Sequence, residues 1–303
     1  MNIVRLNTTA PDGLVRGNAG GGNSGGGSSS GTKWTGHADA EGLRAIGWTD
    51  EDIAYYQENG VNWNAEDDEY HKVSAYDKEA YANNKYFVKD NSVEYFFKRE
   101  ISGYPQKIYE SCPRAVACPS QTITASSLPY VFQSCLNLRS VGVLDCSFVT
   151  EMKSTFSTCY NIKSIVLRNT ENVTTFNNTF SSCVSLEKVE LNVGSKCTDL
   201  YAFRSCYCLV EVKGEIDFLS VTTASFDSCS ALERIQIKNL GIDLRLNSSP
   251  RFSKESLLYI ISNEAATSAI TITLHASAYS RLATDQDIVA ALNNHPNISL
   301  ASA

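Results

Sequence analysis

Histidine, methionine and long apolar runs are scarce in this sequence. Four histidines, His37, His71, His275 and His295, are scattered over 303 residues with no common motif. No Gly-x-Ser-x-Gly elbow, phosphate-binding loop or His-Glu-x-x-His pair occurs, so the familiar nucleophile, nucleotide and zinc-hydrolase chemistries have no carrier. A facing carboxylate pair is the one catalytic arrangement that 33 acidic residues leave open. The chain is therefore read as non-enzymatic, without catalytic residues, metal or cofactor. No stretch of eighteen apolar residues is present, which excludes an obvious membrane-spanning helix. Basic runs are missing too, and the net charge is −7. Nucleic acid and membrane insertion are excluded as partner modes, because both electrostatic modes need clustered Lys and Arg. Ten cysteines are too thinly spread for a disulfide-stapled secreted domain, and no paired CxxC motif suggests zinc. Residues 1–17, MNIVRLNTTAPDGLVRG, contain neither the apolar centre of a secretory signal nor a lipid-acceptor cysteine. They suggest a protein made in a cytoplasm and not exported by the general route.

What is present falls into zones. Residues 1–16 read as an anchor peptide. Residues 17–32, almost entirely Gly, Ser and Asn, read as a flexible tether that cannot offset its own ordering entropy, unless they are a linker added for expression. Residues 33–103 form a small α+β module. Within it, a short helix carrying Leu43 and Ile46 ends at Gly47. Thr49 with Asp52 opens a second helix through Ile53 and Tyr56, closed at Asn59-Gly60. Trp34, Trp48 and Trp63 supply its core. Lys85 to Val88 and Val93 to Phe97 are expected to form a hairpin. The run Glu66 to Glu69 lacks a calcium-loop layout and reads as a solvated acidic face.

The remainder repeats. Phe132, Phe156, Phe180, Phe203 and Phe226 recur at steps of 24, 24, 23 and 23 residues. Each is followed three positions later by a cysteine: Cys135, Cys159, Cys183, Cys206 and Cys229. Three further on stand Leu138, Ile162, Leu186, Leu209 and Leu232, then Val141, Ile165, Val189, Val212 and Ile235. Tyr109 and Cys112 repeat the aromatic-x-x-Cys pair one period upstream. Apolar positions recurring every 23–24 residues mark an α/β-type solenoid of leucine-rich-repeat coils, with a parallel sheet, over 104–245. The Phe and Cys columns are expected to line its core at the turn into each strand. Reduced core thiols explain the cysteines without chemistry, against strained disulfides between successive coils. A solenoid needs caps. Downstream, residues 246–303 should supply an α+β cap: a helix from Ser253, a strand Ile270–Leu274, a helix over Asp285 to Asn294 and a strand Ile298–Leu300.

Between the inward ladder positions, three outward rows follow. The first is Arg139, Lys163, Glu187, Val210 and Glu233; the second Ser140, Ser164, Lys188, Glu211 and Arg234; the third Gly142, Val166, Glu190, Lys213 and Gln236. The candidate binding face takes its polar members, Arg139, Lys163, Glu187, Lys188, Glu190, Glu211, Lys213, Glu233, Arg234 and Gln236. A face of mixed charge with few aromatics suits a protein or a polar glycan better than an apolar ligand. A merely solvating face is the competing reading.

Segments such as Val149-Thr-Glu-Met152 with Phe156-Ser-Thr-Cys159, and Val173-Thr-Thr-Phe176 with Phe180-Ser-Ser-Cys183, resemble the BspA-like leucine-rich-repeat family across about 109–240. The segment Gly47 to Trp63 also looks like one that precedes such repeats in proteins of gut Bacteroides and their phages. The family includes bacterial surface adhesins and phage virion proteins. The resemblance implies a structural, host-attachment protein of a bacteriophage tail fibre or head-associated fibre. On that reading it is located in the virion, is homo-oligomeric and docks on other virion proteins through its N-terminal segment. Its binding face would meet a host-surface glycan or protein. The alternative is a BspA-like adhesin at a bacterial cell surface.

Overall fold

The structure is a computed structural model that describes residues 14–18, 40–45, 47–59, 93–97, 109–112 and 115–303. It is a parallel-strand solenoid of about five turns. Its main strands form a ladder in two hydrogen-bonded stretches: β2 (Val93–Phe97), β3 (Ala115–Cys118) and β5 (Ser140–Val141) in one, then β7 (Ser164–Arg168), β8 (Lys188–Glu190), β10 (Glu211–Asp217) and β12 (Arg234–Lys238) in the other. Alternation explains these strands. Val189 pairs with Ile165 on one side and Val212 on the other, and Val212 pairs with Ile235. All four point inward and are no more than 2% exposed. Short strands β4 (Gln121–Thr122) and β6 (Leu144–Asp145) extend the ladder at Leu167 and Arg168 of β7. A narrower second sheet runs along another face. It comprises β9 (Asp199–Leu200) and β11 (Thr223–Ala224), continued by single bridges through Thr175, Glu151 and Ser127.

The turn leading into each strand holds the two aligned columns. Phe132, Phe156, Phe180, Phe203 and Phe226 stack face to face, with ring centroids 5.1–6.0 Å apart and interplanar angles of 4–13°. Tyr109 extends the stack at 6.2 Å. Each thiol donates to the carbonyl of the aromatic residue one coil upstream: Cys135 to Tyr109, Cys159 to Phe132, Cys183 to Phe156, Cys206 to Phe180 and Cys229 to Phe203, all at 3.0–3.1 Å. None of the ten cysteines is in a disulfide. Burial pushes the thiols of Cys183 and Cys229 up to about 12, so they are inert hydrogen-bond donors rather than nucleophiles. The residue before each cysteine (Ser134, Thr158, Ser182, Ser205, Ser228) adopts a left-handed conformation with φ of 58–66°. That conformation reverses the chain without needing glycine, at a cost of about 1–2 kcal/mol per residue.

At the N-terminal end, α1 (Ala40–Ala45) and α2 (Asp50–Asn59) stand on the ladder. Thr49 and Asp52 form the expected cap, with Asp52 N donating to Thr49 Oγ1 and Thr49 N to the Asp52 carboxylate, both at 3.2 Å. Leu43, Trp48 and Ile53 pack on Val116 and Ala117 of β3. The hairpin expectation does not hold as drawn. β2 is hydrogen-bonded on one edge to β3, in parallel, and on the other to β1 (Leu14–Asn18), antiparallel. The strand expected at 85–88 lies outside the described residues, as do Ile46, Trp34, Trp63, the acidic run at 66–69 and residues 19–32. β1 crosses the expected 16/17 boundary, since Gly17 and Asn18 pair with Glu94 and Val93.

At the other end α3 (Lys254–Ser262) takes the place of a further ladder strand. Ser253 caps its N-terminus, accepting from Ser256 N. The helix seals the open edge of β12, where Ile235 N donates to Ser256 Oγ at 3.0 Å. Beyond it β13 (Leu244–Leu246), β14 (Ile270–Leu274) and β15 (Ile298–Ser302) form an all-parallel sheet with Leu244, Ile272 and Leu300 in register, 28 residues apart. Two helices, α4 (Ala276–Leu282) and α5 (Gln286–Asn294), join β14 to β15. The expected strands and helices are here, and α4 is an addition. Its pattern ASAYSRL buries only Ala278 and Leu282, too weak an apolar stripe to read as a helix.

Replacing Phe180 with Ala empties a fully buried site between two rings and should cost about 3–5 kcal/mol. The denaturant midpoint measures this, and an unchanged midpoint would refute the column. Replacing Cys159 and Cys183 together with Ala should cost less. The midpoint of the unaltered chain should be the same with and without reductant.

Candidate binding face

The outward side of the ladder carries long polar side chains in alternating charge. Glu190 of β8 is bracketed by Arg168 of β7 and by Lys213 of β10, the latter at 2.9 Å. One residue over, Glu211 is bracketed by Lys188 at 3.6 Å and Arg234 at 3.0 Å. Arg234 also reaches Glu233, which Arg251 meets at 3.2 Å, and Lys238 pairs with Glu215. Glu190, Glu211 and Glu215 thus each face a base on the coil above or below, because the coil period brings equivalent positions about 4.8 Å apart. The hydrogen bond from Lys213 holds the Glu190 carboxyl below its ordinary range, and the one from Arg234 does the same for Glu211.

The expected rows are only partly on this surface. Lys188, Lys213, Arg234 and Gln236 are exposed, while Lys163, Glu187, Glu190, Glu211 and Glu233 are half-buried. Arg139 belongs elsewhere: it is 1% exposed, and Ser140 beside it 3%. The reason is α2, which packs against β5. Its Asp52 accepts from Ser120 N at 3.0 Å, and its Tyr55 hydroxyl lies 3.4 Å from Ser164 Oγ. Gly142 is covered too, since an added Cβ would come within 2.4 Å of Ser120 N. The open face therefore begins at β7 and ends at α3, where the Tyr259 hydroxyl donates to Glu215 at 2.7 Å. It forms a trough floored by β7, β8, β10 and β12 and walled by two helices.

Sequence reasoning missed Arg168, Glu215, Lys238, Tyr55 and Tyr259. Arg168 continues the alternation of Val166 and was legible. Glu215 and Lys238 were hidden by a bulge in β10, where the register with β12 shifts between Val212 and Glu215. Gly214 adopts φ of 114° there, and a Cβ would meet the Leu191 carbonyl at 2.0 Å. A lone glycine inside a strand pattern was the available signal. His275 caps α4, accepting from Ser277 N, and His295 meets Glu264 at 3.3 Å. His37 and His71 lie outside the described residues. Among the described residues, no cluster of three or more His, Cys, Asp or Glu is placed to hold a metal, and no helix is long and apolar enough to cross a membrane.

The family model for the BspA type leucine rich repeat region matches the chain in six copies, over residues 83–179, 107–233 and 152–269. Among curated proteins and among solved structures nothing matches.

The ion-pair ladder sets a pH dependence. Glu190 and Glu211 have folded pKa values below their unfolded ones, so their contribution is complete above the unfolded value. It is lost as pH falls from the ordinary glutamate range through the lower folded value. Glu211→Gln should lower stability by under about 1 kcal/mol at neutral pH and low salt. The difference should vanish in acid and shrink near 1 M salt, where screening extends over about 3 Å. Denaturant titrations at paired pH and salt values check this.

Proposed function

The chain belongs to the BspA-type leucine rich repeat family, and on that basis we propose that it is an attachment protein whose strand-face trough binds a partner at a host surface. Repeats of this family suggest protein-binding or adhesin-like roles. The observation that carries the reading here is that α2 covers the ladder at β5 and α3 covers the edge of β12, while β7 to β12 keep a continuous polar face exposed. Solenoids bind along such surfaces. Fixed ion pairs favour a partner further, because the long side chains are ordered before contact and lose less freedom on binding. The proposed activity is non-enzymatic.

For where the face is displayed, we propose a phage virion, on a tail or head-associated fibre. The resemblance of Gly47 to Trp63 to segments of gut Bacteroides and phage proteins supports this. Mass spectrometry of purified particles tests the placement. Peptides of this chain should be present in particles, whereas peptides recovered only from intact bacterial surfaces would assign it to a cell-surface adhesin.

Alanine at Lys188, Lys213 and Arg234 together should weaken attachment to host cells by at least about tenfold, the loss of a modest hot spot. Lysine at Thr174 and Thr198, exposed on another face, should leave attachment intact. Equal loss from both sets would place the contact elsewhere.

A further inference from the structure

Between β10, β12 and α3 the trough deepens into a cleft of about 550 Å³. Its lining includes Glu211, Lys213, Arg234 and Gln236 from the strands, and Glu255 and Tyr259 from the helix. The volume lies within the range of roughly 300–1,000 Å³ typical of small-ligand sites. The bulge at Lys213 and Gly214 takes β10 out of register with β12 at this point, and bulges recur beside functional sites because they re-aim side chains. We propose that this cleft binds a neutral oligosaccharide. The assignment rests on the trough being the binding surface, and it names the ligand class that this cleft takes.

Three observations favour that class. Charge in the cleft is balanced, Glu211 and Glu255 against Lys213 and Arg234, so no net field selects an anion or a cation. Strand addition by a peptide is closed off. β10 is paired on both sides. The outer edge of β12 is occupied by the α3 region, through Ile235 N to Ser256 Oγ at 3.0 Å, Ser253 N to the Glu233 carbonyl at 2.9 Å and Asn239 N to the Asn263 carbonyl at 2.6 Å. The polar groups also suit hydroxyls, which donate and accept at once. Glu211 offers carboxylate oxygens, Arg234 and Lys213 offer N–H groups, and the Gln236 amide offers both. Their positions are fixed before a ligand arrives, by Arg234 Nε on Glu211 at 3.0 Å and by Lys213 on Glu190 at 2.9 Å. Tyr259 is fixed by its hydroxyl on Glu215 at 2.7 Å. It adds an aromatic ring, an apolar body beside a polar rim, against which the C–H face of a sugar packs.

The test is calorimetric and NMR titration of the full chain with neutral di- to tetrasaccharides of hexoses and N-acetylhexosamines. A sialylated trisaccharide and a mixed-charge peptide serve as comparison probes. At least one neutral oligosaccharide should saturate the protein with a Kd of roughly 0.1–1 mM. Gln236→Ala and Glu255→Ala, both at exposed positions, should each weaken it by about tenfold, equivalent to about 1.4 kcal/mol. Tyr259→Phe, which keeps the ring, should retain binding, and Tyr259→Ala should lose it with thermal unfolding checked in parallel. Thr174→Lys on the other face should change nothing. Failure of every neutral saccharide to saturate by about 10 mM overturns the proposal, as does saccharide binding that survives both Gln236→Ala and Glu255→Ala. Preference for the sialylated probe or the peptide overturns it equally. If saccharides fail while host-cell attachment still depends on Lys188, Lys213 and Arg234, only the ligand class falls. If attachment is independent of those residues as well, the trough reading falls with it.

Discussion

One backbone carbonyl per coil holds the solenoid together. The carbonyl of Phe156 accepts from the amide of Cys159 in its own turn and from the thiol of Cys183 in the next coil. The same two donors meet at Phe132, Phe180 and, one coil on, Phe203. A carbonyl has two lone pairs, and burying it with both used removes the penalty that a half-satisfied acceptor would carry. Cysteine suits this position because its side chain is small enough for a tight column and still donates. The stacked rings then set the coil spacing. Where the period drops from 24 to 23, the missing residues come from the turn just before the phenylalanine. That turn runs four residues from Leu128, Met152 and Phe176 to the next Phe, three from Leu200 and two from Ala224. The left-handed residues Tyr130, Ser154 and Asn178 of the longer turns have no left-handed counterpart in the shorter ones. Chain length varies only where the column does not depend on it.

The periodic part of this architecture could be read from the sequence because stacking forces equivalent residues into equivalent environments. Phe180, Cys183, Leu186 and Val189 each announce their place by repetition. Single events do not repeat and leave weaker traces. Arg139 occupied an outward row by alternation, yet it is buried because a helix from residues 50–59 folds back over its coil. No local pattern at 139 encodes that distant contact. The bulge at Gly214 displaced Glu215 and Lys238 from the expected rows for a related reason: alternation presumes a regular strand. Tyr55 and Tyr259 belong to helices beside the ladder, where the repeat register carries no information.

Capping and recognition are coupled here. A parallel ladder presents unpaired backbone at each end, and leaving these edges open invites pairing with other chains. At β12 the answer is a helix that satisfies the edge with Ser256 and with the carbonyl of Asn263. That helix also rises above the sheet and supplies Tyr259 and Glu255. Nearer the N-terminus the edge of β2 is paired with β1, while α2 lies over β5, satisfies Ser120 through Asp52 and brings Tyr55 over Ser164. The helix that ends the ladder at β12 therefore also builds one wall of the trough, and α2 builds the other.

Self-pairing of the face has a consequence for specificity. A surface bearing one sign of charge attracts any partner of the opposite sign, and it does so at long range. Here Glu190 and Glu211 are each bracketed by two cations and Glu215 is paired with Lys238, so the long-range field largely cancels within a few ångströms of the surface. Encounter is then slow and unselective, and discrimination comes from fit at contact: which donors and acceptors the partner can match without leaving a member of a pair unsatisfied. A ligand that strips Arg234 from Glu211 must replace that interaction or forfeit its value. Ligands that bridge existing pairs, by donating to the carboxylate and accepting from the guanidinium together, lose nothing. The geometry thus selects for groups that do both at once, in an arrangement set by coil spacing rather than by charge.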